Sequence, residues 1–187
     1  MKRFLSAFIA LVGLAWGVEM LSATGAVASA PGNPWAVREH ALTLTGLWSF
    51  ALMSLAMVLA TRPARLERFF GGMDRIYRVH KWAGILAVGF AALHWLVELS
   101  DDLIKTLWGR EGRLPKDHGG GLLEAMRDVA EELGEFAIYA LLAMLVLTLW
   151  KRFPFRIWRY VHKGMPVLYL ALAFHAAFLA PLDYWMQ

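Results

Sequence analysis

The sequence contains no cysteine among its 187 residues. This absence excludes disulfide bonds, thiolate-bound zinc, iron–sulfur clusters and the C-x-x-C-H attachment of c-type haem. Charged residues are also scarce, at 18% of the chain, compared with about 25% in an average soluble domain. Functions that depend on thiol chemistry are therefore ruled out, and an ordinary soluble domain is a poor fit to the composition.

Apolar residues are abundant, at 59% of the chain, with a mean hydropathy of +0.48. Residues 41–61 include no charged side chain, and a helix of that length crosses the hydrocarbon core of a bilayer, which is about 30 Å thick. The net charge of +4 does not indicate a nucleic-acid partner, because the basic residues concentrate at the ends of apolar runs. These features predict an integral membrane protein with the lipid bilayer as its partner.

Five apolar runs predict an all-α membrane protein with five transmembrane helices in one domain, residues 1–187. They cover residues 4–20, 41–61, 75–98, 136–150 and 159–182. The segment 62–81 carries six basic and two acidic residues, whereas 98–135 carries ten acidic and five basic ones. Basic loops stay in the cytoplasm, so we expect a cytoplasmic N-terminus in a bacterial inner membrane. Residues 122–136 have helical spacing and predict a helix in the external loop.

The first apolar run has two interpretations. Lys2 and Arg3 precede it, and Ala28, Ser29 and Ala30 follow it, as in a cleavable signal peptide. The run nevertheless extends far enough to cross a membrane, and further spans follow. We therefore expect it to stay as an uncleaved first helix.

Histidines occur at regular spacing in two of the runs. His80 and His94 are fourteen residues apart, so on a helix they share one face at depths about 21 Å apart. His162 and His175 are thirteen apart, which places them about 140° apart on an ideal helix. Pro166 removes the hydrogen bond to the carbonyl of His162. The sequence thus predicts a kink or π-type bulge between His162 and His175.

Each of these two helices begins at a basic end and carries one histidine near that end and one near the far end. Neutral imidazole is a good axial ligand for haem iron, and facing histidines from two helices fill both axial positions. The pattern predicts two stacked b-type haems held by coordination and packing. A single intramembrane histidine can instead serve as a hydrogen-bonding residue between helices, but four at matched spacing favour the haem interpretation.

The histidine patterns, together with Tyr77-Arg78-Val79-His80-Lys81 and Trp158-Arg159-Tyr160-Val161-His162-Lys163, resemble the bis-haem transmembrane domain of the NADPH oxidase and ferric reductase superfamily. The resemblance covers nearly the whole chain. It implies that His80 and His162 ligate an inner haem and that His94 and His175 ligate an outer one. It also implies an NAD(P)H-dependent oxidoreductase in which electrons pass from NADPH through FAD to the haems and then to an external acceptor, oxygen or ferric iron.

The chain departs from that family pattern in two respects. A sixth span and a cytoplasmic flavin and nicotinamide domain are usual in the family, but neither has a counterpart in this sequence. Either the sequence is part of a longer protein, or the chain docks a separate flavin reductase. A second class also stays open, a haem-binding membrane subunit that delivers electrons to a periplasmic reductase such as a methionine sulfoxide reductase. A third is a haem or metal-ion carrier without enzymatic activity.

Charged residues near the histidines suggest further roles. Haem propionates are anionic and should lie near the membrane interfaces, where Arg78, Lys81, Arg159 and Lys163 are placed to pair with the inner ones. The same four residues can equally extend to lipid headgroups. At the outer end, Glu98, Asp101 and Asp102 form an acidic group that could attract ferric species or simply be solvated. Gly84, Gly89 and Gly164 would allow close approach of a macrocycle or of another helix.

Overall fold

The computed structural model describes residues 2–22, 33–111, 113 and 121–180. These residues form helices and no strands, so the prediction of an all-α protein is confirmed. The helices, in chain order, are α1 (Lys2–Ser22), α2 (Pro34–Ala60), α3 (Ala64–Phe70), α4 (Met73–Leu99), α5 (Asp101–Trp108), α6 (Leu122–Leu149), α7 (Phe155–His162) and α8 (Met165–Leu179).

Four helical stretches in the described part of the chain are long and apolar enough to cross a membrane. They are Lys2–Met20, Pro34–Ala60, Met73–Trp108 and Leu122–Leu149. The fifth span, expected over 159–182, stays a prediction. Its main helix α8 has 15 residues and a length of about 22 Å, and the chain from 181 onward lies outside the described residues.

Two helix boundaries differ from the expected ones. Helix α2 begins at Pro34 rather than near residue 41, because the side chain of Asn33 accepts a hydrogen bond from Trp35 N at 3.0 Å and caps the helix. Helix α6 is a single element of 28 residues. The prediction that 122–136 is helical is confirmed, and this segment continues without interruption into the residues of the predicted fourth span.

The chain divides into two compact units, Met1–Lys116 and Asp117–Gln187. The first unit is built on the antiparallel pair of α2 and α4. Among the hydrogen bonds that join the two helices, three are evenly spaced, between Leu42 and His94, Ser49 and Ala87, and Ala56 and His80. Each bond lies seven residues from the next on both helices, a spacing typical of left-handed helix pairing. The pair therefore has one register along its whole length.

Small residues let the backbones of α2 and α4 approach closely. Ala83 and Ala87 on α4 and Ala56 on α2 are all buried, as expected for helices that associate in a membrane through van der Waals packing. Helix α1 joins this pair through Trp48, whose indole N–H donates to the carbonyl of Ile9 at 3.0 Å. Gly13 on α1 lies directly against the Trp48 ring.

The connection between α2 and α4 is a short helix followed by two glycines. Helix α3 ends at Gly71, whose φ of 71° is in the left-handed region, and Gly72 has a φ of 126°. The N–H groups of both glycines donate to the carbonyl of Glu67, which satisfies the end of the helix. Only glycine adopts this succession of angles without strain, so the chain reverses here and starts α4.

The second unit is built on α6, α7 and α8. Helices α6 and α8 are antiparallel, with hydrogen bonds from Arg127 to the Phe178 carbonyl and from His175 to the Ala130 carbonyl. Helix α7 ends at His162 and α8 begins at Met165, after a turn at Lys163 and Gly164. The expected distortion between His162 and His175 is thus a complete break in the helix, with Pro166 in the first turn of α8.

Large apolar side chains remain exposed on the outside of both units. Leu14 is 68% exposed, Val146 is 62% exposed and Val167 is 72% exposed. A soluble protein rarely leaves such surfaces in water, whereas lipid covers them without cost. The surface therefore agrees with the membrane-spanning helices.

Candidate histidine site

His94 lies half-buried on α4 and faces the first half of α2. Its Nδ1 is 2.9 Å from the carbonyl oxygen of Leu42 and 3.5 Å from the hydroxyl of Thr45. The Thr45 hydroxyl donates to the carbonyl of Ala41 at 2.6 Å. A Cβ atom on Gly46 would come within 3.2 Å of the His94 ring. The imidazole therefore lies directly on the surface of α2.

His80 makes the equivalent contact at the other end of the same helix pair. Its Nδ1 is 2.9 Å from the carbonyl oxygen of Ala56. Ala56 and Leu42 are fourteen residues apart, as are His80 and His94. Both rings therefore project from α4 toward α2 in the same way, at depths separated by about 21 Å.

His175 is bonded in the same way in the second unit. Its Nδ1 is 2.7 Å from the carbonyl oxygen of Ala130 on α6. The ring lies against Gly134, one turn further along α6, where a Cβ atom would overlap Nδ1 and Cε1 and approach Nε2 to 3.2 Å. No side chain fits at Gly134 while the His175 ring stays in place.

His162 is positioned by an aromatic ring. It stacks on Trp158, with ring centroids 4.8 Å apart and planes inclined by 20°. The indole N–H of Trp158 in turn donates to the hydroxyl of Thr148 on α6 at 2.9 Å. Trp158 therefore connects His162, at the end of α7, to the neighbouring helix.

The hydrogen bonds to carbonyls determine the tautomer of three of these histidines. A carbonyl oxygen only accepts, so Nδ1 of His80, His94 and His175 carries the proton. In a neutral imidazole the lone pair is then on Nε2, the nitrogen that commonly binds a metal. Within the described ranges, no three His, Asp or Glu side chains form a cluster able to hold a metal ion by themselves. These donors fit a group such as haem, which brings four nitrogens of its own.

The four cationic residues predicted to pair with haem propionates are all exposed: Arg78, Lys81, Arg159 and Lys163. Arg78 lines a cavity of about 390 Å³ together with Phe4, Phe69, Phe70 and Arg75, on the side of α4 that faces α1 and α3. The ammonium of Lys163 lies 5.3 Å from the centroid of the Tyr160 ring. The roles of Arg78, Lys81, Arg159 and Lys163 toward haem propionates stay predictions.

The outer acidic group is paired with basic side chains. Arg38 on α2 bonds the carboxylate of Glu98 at 2.8 Å and its backbone carbonyl at 3.0 Å. Asp101 contacts Lys105 and lies 3.2 Å from Arg113. These pairs compensate much of the negative charge, so the structure gives no support for an acidic patch that attracts ferric species.

Other polar and small residues have simpler surroundings. His40, on α2, makes an edge-to-face contact with Trp16 at 5.9 Å. A Cβ atom at Gly84 or Gly89 would meet nothing within 4 Å. The sequence analysis missed Gly46, Gly134 and the stacking role of Trp158. A lone glycine inside an apolar helical run was the available signal for Gly46.

The described part of the chain is all-helical, and α4 carries histidines at two depths, each bonded to a backbone carbonyl of α2. These features define the class of helical membrane proteins with histidines inside their helix pairs. The family model of the ferric reductase like transmembrane component matches residues 45–173. Because this match covers more than half of the chain, the protein belongs to that family, as its resemblance predicted. No curated protein and no solved structure matches the chain.

Proposed function

We propose that the protein transfers electrons across the membrane and that His80, His94, His162 and His175 ligate two b-type haems. His80 and His162 hold the inner haem, and His94 and His175 hold the outer one. Electrons come from FAD and NADPH on a cytoplasmic dehydrogenase, carried by a separate subunit or by a further part of the protein. The acceptor, oxygen or ferric iron, lies on the outer side of the bacterial inner membrane.

The observation that carries this proposal is the bond from Nδ1 to a backbone carbonyl at His80, His94 and His175. Such a bond orients the ring, fixes the Nδ1-protonated tautomer and makes Nε2 a stronger donor toward iron. A histidine that only joined two helices would need neither a fixed Nε2 lone pair nor the same acceptor type at three sites. The repetition of the geometry therefore supports ligation.

The equivalence of His80 and His94 favours two haems over one. A haem subunit that serves a periplasmic reductase would need only one haem histidine on this helix. On α4, however, both histidines are bonded to the same neighbouring helix at the same distance of 2.9 Å. Two ligand levels on one helix are what a transmembrane electron path requires, since the levels are about 21 Å apart.

The residues of the chain have distinct tasks in this function. Haem supplies the one-electron chemistry when bound. The paired helices partly bury the imidazoles, and the carbonyl bonds of His80, His94 and His175 orient the rings. Arg78, Lys81, Arg159 and Lys163 provide positive charge at the end where the inner propionates are expected. With all four histidines bound to iron, the external acceptor would take up electrons without itself binding iron.

The test is the haem content and the reduced-minus-oxidised spectrum of the purified protein and of four variants. His80→Ala and His162→Ala should remove the same spectral component, and His94→Ala and His175→Ala should remove the other. His40→Ala is the matched control, because His40 is assigned no ligand role, and it should keep both haems. A wild-type protein that binds no haem when haem is supplied would refute the proposal.

A further inference from the structure

We propose that Gly46 and Gly134 are positioning residues for the outer haem, because each leaves the space in which a ligand imidazole lies against its neighbouring helix. This inference rests on the proposed function, since it takes His94 and His175 to be haem ligands. It adds Gly46 and Gly134 to the site, and these two residues are neither haem ligands nor hydrogen-bond acceptors of the ligands.

The same local arrangement occurs in both units of the chain. His94 donates to the carbonyl of Leu42 and lies over Gly46, and His175 donates to the carbonyl of Ala130 and lies over Gly134. In each case the glycine follows the carbonyl residue by four positions. Residues i and i+4 lie on the same face of a helix, and in both units the ring that bonds the carbonyl also lies over the glycine.

The space at Gly134 is completely occupied by the imidazole of His175. An added Cβ atom would overlap Nδ1 and Cε1 of the ring, whereas non-bonded carbon atoms normally stay about 3.5–4.0 Å apart. At Gly46 an added Cβ atom would lie 3.2 Å from Nδ1 and Cε1 of His94, so a displacement of a few tenths of an ångström relieves the contact. The two sites should therefore respond to the same substitution with different strength.

The arrangement is specific to the outer level. The carbonyl that binds His80 belongs to Ala56, and the residue four positions further is Ala60. Glycine is a poor helix former, so its presence beneath both outer rings, within the helices α2 and α6, calls for a reason other than helix formation. Room for the imidazole is that reason, and the inner haem should be insensitive to both glycines.

The direct test compares Gly134→Ala, Gly46→Ala and Gly17→Ala in the haem-loaded full chain. Gly17 is the matched control, because a Cβ atom there would meet nothing within 4 Å. Gly134→Ala should convert one of the two haems from a low-spin to a carbon monoxide-binding form, because the displaced His175 no longer ligates. Gly46→Ala should keep both haems and shift the midpoint potential of one. Gly17→Ala should change neither spectrum nor potential.

A double-mutant cycle separates the imidazole contact from general damage to α6. Gly134→Ala should lower the thermal unfolding temperature in the presence of His175 but not in a His175→Ala background, where the ring is gone. An equal loss in both backgrounds would overturn the inference. So would a Gly134→Ala protein whose haems match those of Gly17→Ala. A wild-type protein without haem would instead refute the proposed function.

Discussion

At the scale of single residues, the site is built from an imidazole and a backbone carbonyl of the adjacent helix. The carbonyls of Leu42, Ala56 and Ala130 lie within helices, and a carbonyl oxygen has two lone pairs, so each can accept the imidazole bond in addition to a helical one. No polar side chain is needed as the acceptor at these three positions, although the hydroxyl of Thr45 lies 3.5 Å from Nδ1 of His94.

Ser49 offers a prediction about the middle of the α2 and α4 pair. Its hydroxyl is buried and donates to the carbonyl of Ala87 at 3.0 Å. Such bonds between membrane helices contribute about 0.6 kcal/mol on average, so Ser49→Ala should lower the free energy of unfolding in detergent by about 0.5–1 kcal/mol. Both haem spectra should persist, because the bonds of His80 and His94 remain.

The control for this substitution is Thr43→Ala on the same helix. The hydroxyl of Thr43 donates to the carbonyl of Glu39 within α2 at 3.0 Å, so its loss removes no bond between helices. If Ser49→Ala and Thr43→Ala destabilise the protein equally, the hydrogen bond to Ala87 does not stabilise the pair.

Trp158 gives a second prediction at this scale. Replacing it with leucine removes both the stack on His162 and the bond to Thr148, so the inner haem signal should weaken while the outer one persists. Thr148→Val is the milder comparison, because it removes only the acceptor of the indole N–H. It should shift the inner haem potential without loss of haem. Redox titration with optical detection measures both, and an altered outer haem in either variant would contradict the assignment.

The sequence predicted His80, His94, His162 and His175 as candidate ligands because their spacing is visible in the order of the residues. It did not predict their hydrogen-bond acceptors, since a backbone carbonyl has no residue identity and any residue can provide it. Gly134 was missed for a related reason: it lies in a segment with many acidic residues that was interpreted as an external helix. Its role appears only when His175 is placed against it.

At the scale of elements, the bounds of α4 followed closely from its apolar run, whereas α2 begins well before its run, at Pro34, and the second unit differed more. Helix α6 extends through Glu124, Asp128, Glu131 and Glu132. Charged residues with good helix propensity continue a helix beyond the bilayer as readily as apolar ones, so hydropathy marked only its apolar half. The membrane span predicted over 136–150 is therefore only the apolar part of the longer helix α6.

The break between α7 and α8 was anticipated from Pro166 but not in its full extent. Gly164 N donates to the carbonyl of Val161 at 2.9 Å and Val167 N donates to the carbonyl of Gly164 at 3.0 Å. These bonds are tighter than those of an α-helix and turn the chain between the two elements. Because Gly164 and Pro166 interrupt the helix, the direction of the His162 side chain is not set by the helical periodicity of α8, which carries His175.

At the scale of the whole molecule, the absence of cysteine provides a direct test of topology. A single cysteine at the exposed position of Arg65 should react with a membrane-impermeant maleimide only from the cytoplasmic side, and one at Glu111 only from the outside. Leu14→Cys is the control: Leu14 is 68% exposed in the protein alone, but lipid should shield it from both sides. Labelling of Arg65→Cys in intact cells would show that residue 65 lies outside and would contradict the proposed orientation.

The fixed register of α2 and α4 has a consequence for how this protein can change over evolution. The rungs at Leu42, Ser49 and Ala56 recur every seven residues, so adding or removing a single residue in α4 would rotate one imidazole by about 100° away from α2. Only matched changes of a whole heptad in both helices, about 10.5 Å at a time, preserve the contacts. If His80 and His94 ligate two haems as proposed, the distance between the two haem levels is adjustable in coarse steps alone, and finer tuning of the transfer rate would have to come from redox potentials.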